Sequence, residues 1–216
     1  AQIADRVFTP SLKGSLQPAM VAGARRSGRL AYEIQGSDAL YREIAAGRPV
    51  IVLQNLGVSW FPVWHYAVAT GYDMTTAKIM LHSGPSENKL VALKLFQRTW
   101  ARSENWGMLV VQPHDLPATV AESAYVNAAV GLEKAGQSTA ALTAFKTAHR
   151  KWPRNLVALM GVGNNYYALS DLPNASMAFE KATHLHPAAA DAYNTLAQVL
   201  FELEQLEAAE NAAQKA

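Results

Sequence analysis

The rhythm of apolar and polar positions changes part-way along the chain. In the first half, short apolar runs of strand length are separated by polar turns: Leu30–Ile34, Val50–Leu53, His65–Tyr72, Lys78–His82 and Gly107–Val111. Helical spacing covers Ala19–Arg26, with Ser15 as a cap candidate and Gly28 as its stop, then Ser37–Ala46 closed by Gly47, and Leu93–Trp100. Ala1–Val7 reads as a helix end, and the polar Asp73–Thr76 as a hairpin turn between two strands. Helices followed by an antiparallel sheet predict an α+β domain over residues 1–117.

From about Glu122 the chain becomes alanine-rich and repeats itself. A shift of 34 residues superposes Gly136 on Ser170, Ala141 on Ala175, Phe145 on Phe179, Ala148 on Ala182 and Pro153 on Pro187. The next shift sets Gly163 on Ala197, Tyr166 on Leu200 and Ala175 on Ala209. Small residues at these positions let two helices approach closely, the phenylalanines fill the gap to the next pair, and each proline ends a helix because it lacks the backbone donor. This pattern resembles the tetratricopeptide repeat, a pair of antiparallel helices of that length. The resemblance implies an all-α array over residues 118–216 with units Glu122–Asn155 and Leu156–Ala189 and a third from Ala190, presenting a groove to a protein or peptide. Gln112–Pro117, with two prolines, reads as the linker.

Composition narrows the function classes. Of 216 residues 50% are hydrophobic and 17% charged, the formal charge is +2, and Lys and Arg are scattered, so no nucleic-acid groove is expected. The apolar runs fall well short of the ~20 residues of a membrane span. There is no cysteine, which excludes disulfides and cysteine-ligated zinc. His184 and His186 are spaced wrongly to ligate one metal from a helix, and Gly161-Val162-Gly163 lies inside a predicted helix with no strand before it. Neither a metal nor a cofactor is expected.

The richest segment runs from Gly47-Arg48-Pro49 through the strand Val50–Leu53 to His65-Tyr66-Ala67-Val68-Ala69-Thr70-Gly71-Tyr72-Asp73. It is similar to the bacteriocin-processing, or double-glycine leader, peptidases, a papain-like group of cysteine peptidases. The resemblance covers about residues 1–112 and implies a papain-like antiparallel-sheet half domain with His65 as general base. In that family the strand after the histidine hairpin ends in Asp-Pro; here His82-Ser83-Gly84 stands there, which makes Ser83 or its neighbour His82 the candidate to orient the imidazole. The family's nucleophilic cysteine is missing, and because residues 1–14 resemble the stretch after the family's first helix, the resemblance implies a chain that begins downstream of the catalytic segment. It also resembles the bacterial subgroup in which such a domain is fused to tetratricopeptide repeats, which favours an exported or periplasmic setting.

Imidazole suits thiol proteolysis because it can deprotonate a thiol and then protonate the leaving amine near neutral pH. The same residue could equally cap its strand. Gln54 and Asn55 could offer amide donors to a substrate backbone or satisfy the loop that follows them, and Trp64, with Trp60, Phe61 and Tyr66, could line a substrate cleft or a core edge. If His65 is catalytic, it should face an open apolar groove with Ser83 or His82 at one ring nitrogen, and a partner chain or exchanged segment should fill that groove.

Overall fold

The computed structural model describes residues 7, 15–58 and 60–216. The expected helix end over residues 1–7, Val7 apart, and the turn at Lys13–Gly14 lie outside them. By contacts the described chain groups into two compact units: one holds residues 31–111 and 116–121 with the N-terminal stretch to Ala24, the other holds residues 25–30, 112–115 and 122–216.

In the first unit six strands form one sheet in the order β1-β6-β2-β3-β4-β5. The elements are α1 (Gln17–Arg26), β1 (Leu30–Gln35), α2 (Ser37–Ala45), β2 (Val50–Asn55), β3 (Trp64–Asp73), β4 (Lys78–Ser83), β5 (Ser86–Ala92), α3 (Leu93–Ala101) and β6 (Trp106–Val111). β2 pairs antiparallel with β3 and β6, β3 with β4, and β4 with β5. Helix α1 begins with the Leu16 carbonyl accepting from the Met20 amide at 3.1 Å, so Leu16 rather than Ser15 occupies the capping position. Helix α2 stops as its sequence implies. Gly47 has φ 74°, its amide reaches the Ile44 carbonyl at 2.9 Å and the Arg48 amide reaches Glu43 at 2.9 Å, closing the helix through a left-handed residue.

Strand alternation sorts the side chains onto two faces. Val50, Val52, Ala67 and Ala69 are buried on the inner face, Phe96 and Trp100 are the fully buried side chains of α3, and α2 touches α3 through Gln97 Nε2 donating to the Tyr41 hydroxyl at 3.2 Å. On the outer face α1 packs Val21 against Ala31 and Met108. Strand β5 was not expected from the sequence. It is an edge strand whose residues are nearly all exposed, so no apolar alternation marks it.

The second unit contains α4 (Glu122–Lys134), α5 (Ser138–Lys151), α6 (Leu156–Ala168), α7 (Leu172–Leu185), α8 (Ala190–Glu202) and α9 (Leu206–Ala213). These make three helical hairpins in register with the 34-residue period. Phe145 and Phe179 are fully buried. A Cβ added at Gly161 would sit 2.6 Å from the Phe145 ring, and one at Gly163 would collide with the Phe179 ring, so each glycine is a notch that admits an aromatic side chain. The alanines at 141, 148, 175 and 182 are also fully buried, where any larger side chain would force the helices apart.

Candidate functional site

Register places the candidate residues. Gln54 pairs with His65 and Asn55 with Trp64, and directly paired residues share a face. His65 and Gln54 therefore lie on the inner face, Trp64 and Asn55 on the outer. Val68 pairs with His82, which puts His82 outside and Ser83 inside. The structure accordingly brings together His65 and Ser83, with Nε2 and Oγ 2.8 Å apart. His82 stands apart: its Nδ1 accepts the Asn88 amide at 3.2 Å inside the β4/β5 hairpin.

Burial first, and the Lys89 charge second, hold the His65 imidazole below its ordinary value of 6.5, so it is neutral at pH 7. A neutral ring can exchange a hydrogen bond with a serine hydroxyl in either direction. The hydroxyl fixes its orientation but, unlike a carboxylate, supplies no negative charge to stabilise the protonated ring.

The two amides are engaged within the protein. Gln54 Nε2 donates to Thr99 Oγ1 at 2.7 Å, anchoring β2 to α3. Asn55 Oδ1 accepts from the Gly57 and Val63 amides at 3.0 and 2.9 Å, pinning both ends of the loop before His65. Arg102 Nη1 donates to the carbonyls of Asn55 and Gly57, and the Phe61 carbonyl leaves no room for a side chain at Gly57. These bonds hold the two ends of the loop, and Trp60 is exposed by 85% and Phe61 by 67%.

A cleft of about 1140 Å³ opens on the outer face, lined by Leu53, Trp64, Tyr66 and Trp106 with Glu33 and Arg102 at polar positions. Burial pushes the Tyr66 hydroxyl up to about 12, and among the described residues it has no hydrogen-bond partner. Trp106 Nε1 donates to Glu33 at 2.8 Å. This cleft is not the groove expected beside His65, which does not line it, because consecutive strand residues point to opposite faces. Trp106, Glu33 and Arg102, which reach the cleft from β6, β1 and the end of α3, were not singled out from the sequence.

A second candidate lies in the repeats, where side-chain bonds join the first helices of successive hairpins. Asn164 and Asn165 on α6 donate to the Glu133 carboxylate of α4 at 3.4 and 3.1 Å. Tyr167 on α6 donates to Glu202 of α8 at 2.7 Å, and Gln198 donates to both at 3.2 Å. None of these residues was singled out from the sequence. The signal was there, because the 34-residue shift that aligns the hairpins carries Glu133 to Tyr167 and Asn164 to Gln198.

Among the described residues no helix is long and apolar enough to cross a membrane, and no three His, Cys, Asp or Glu side chains gather as metal ligands. His184 is in the last turn of α7 and His186 caps it. No protein family and no curated protein matches the chain. Among solved structures it is similar to the first TPR of Spaghetti (RPAP3) bound to an HSP90 peptide, at 19% identity and TM-score 0.42, over 44% of this chain and 75% of that one. MamA is similar at the same identity and TM-score and the same share of this chain, which spans 56% of it. A C39-like peptidase from Bacillus anthracis is similar at 18% identity and TM-score 0.38, over 45% of this chain and 60% of that one.

Proposed function

We propose that this chain binds a polypeptide through its helical repeats and carries a papain-like domain of the double-glycine peptidase type that holds an imidazole but contributes no thiol. The binding half rests on the hairpin array, whose Phe145 and Phe179 are seated in the notches of Gly161 and Gly163 and whose first helices share a face of exposed side chains. Arrays of this build offer one continuous surface to a ligand.

The peptidase-like half rests on the segment Gly47–Asp73 and on His65 held at 2.8 Å by Ser83. A neutral imidazole there could take a proton from a thiol and pass it to a leaving amine. That step needs a thiolate, and the 216 residues contain no cysteine. A second reading, a non-catalytic scaffold throughout, is favoured by Gln54 and Asn55, whose amides are engaged by Thr99 and by the loop rather than left for a substrate.

Two parallel measurements test the proposal: turnover of a mixture of fluorogenic peptides, and retention of the chain on an array of immobilised peptides. The expected result is no turnover, with array binding that survives His65→Ala. Turnover abolished by His65→Ala would overturn the inactive reading, and an array that retains nothing would overturn the binding one.

A further inference from the structure

The carboxylates on the face formed by α4, α6 and α8 are held by neutral donors. Glu133 is bonded by two asparagine amides, and Glu202 by a tyrosine hydroxyl and a glutamine amide. Among the described residues no Lys or Arg comes within ion-pair distance of either one. A carboxylate fixed in this way keeps its whole negative charge and a set direction, with lone pairs left to accept from a ligand. Ordinary surface carboxylates are mobile and often paired. Asp191 in the first turn of α8 adds a further negative charge, against Lys134 at the end of α4.

Apolar side chains accompany these charges. Phe201 is 65% exposed and follows Gln198 by three residues, so it stands on the same side of α8, while Tyr167 is anchored between Gln198 and Glu202. Fixed negative charge interleaved with aromatic rings is complementary to cations on apolar stems: the head meets a carboxylate or a ring face, and the stem covers the ring.

We infer that this face takes a cationic peptide segment, one in which Lys or Arg residues are interspersed with apolar side chains. An acidic segment would meet the like charge of Glu133 and Glu202, neither of which is ion-paired among the described residues, and would find only Lys134 as a cation on these three helices. The inference rests on the reading that the repeats bind a polypeptide and adds the sign of the ligand's charge and the residues that select it.

Fluorescence anisotropy of the whole chain with a short labelled peptide of Lys, Phe and Ser, and with its counterpart carrying Glu for every Lys, tests it. The basic peptide should bind, the acidic one should not, and added salt should weaken the complex because the contacts are exposed. Glu133→Gln and Glu202→Gln should each weaken binding by roughly threefold, as expected for single exposed charge pairs, and Phe201→Ala should weaken it at unchanged salt dependence. If a variant fails to fold, the salt titration of the unmodified chain still decides. Binding of the acidic peptide, or of both peptides equally and independently of salt, overturns the inference while leaving the polypeptide-binding reading intact. Binding of neither, together with an empty peptide array, overturns both.

Discussion

At the scale of single residues, His65 is the informative case. Its pKa is depressed by burial and by Lys89, so the folded protein holds the neutral ring while the unfolded chain binds a proton at about 6.5. Below that value the unfolded state takes up more protons than the folded one, and stability falls as pH drops from 6.5 towards the lowered native value; above 6.5 the contribution is complete. NMR titration should therefore give an imidazole midpoint below 6.5, and Ser83→Ala should change the chemical shift of the ring nitrogens at neutral pH. A midpoint at or above 6.5 would refute the placement of the ring. The residue type and its strand-start position were legible in the sequence. The face it points to was not, because that depends on a pairing register set jointly by β2, β3 and β4.

Among the elements, the hairpin turns of the repeat array show how a period becomes geometry. Gly136, Ser170 and Glu204 follow one another at the 34-residue spacing and all have positive φ, at 70°, 60° and 61°. In each case the residue's amide returns to the carbonyl three back: Gly136 to Glu133, Ser170 to Tyr167 and Glu204 to Phe201, at 2.8 to 3.0 Å. The left-handed conformation costs a residue with a Cβ about 1–2 kcal/mol, and glycine escapes this at an entropic cost of about 0.5–1 kcal/mol. Ser170→Gly and Glu204→Gly should accordingly each stabilise the protein by about 0.5–1 kcal/mol, read as a higher urea midpoint; a lower midpoint would mean that their side chains do more than the geometry shows. The sequence displayed this turn only at Gly136, since neither serine nor glutamate favours a positive φ. Strand β5 was hidden for a related reason: at a sheet edge the backbone of β4 recruits it, and its own side chains have nothing to bury.

For the whole molecule, the division into two units carries a prediction of its own. Phe179, Leu196, Val199 and Leu200 form a core cluster within the helical unit, while Val21, Ala31 and Met108 belong to the sheet unit. Phe179→Ala should cost about 3–5 kcal/mol. If each unit holds its own core, helical circular dichroism should lose its upper transition while tryptophan fluorescence, recorded on a Trp152→Phe background, shifts little, because Trp60, Trp64, Trp100 and Trp106 lie in the sheet unit and only the fifth tryptophan, Trp152, lies in the helical one. Both probes moving together would show one cooperative structure instead. By itself the sequence determined the local and periodic features: the strand-length apolar runs, the stop at Gly47, the 34-residue repeat with its alanine and phenylalanine positions, and the absence of a thiol. These depend on backbone sterics and on spacings along one chain segment. Tertiary structure alone decided what depends on partners distant in sequence. Register turned His65 towards Ser83 and Trp64 towards the cleft, Thr99 and the loop amides claimed Gln54 and Asn55, and hairpin stacking gathered Glu133, Tyr167 and Glu202 onto one face. In each of these the energy comes from a contact whose other half lies elsewhere in the chain, and no local pattern encodes it.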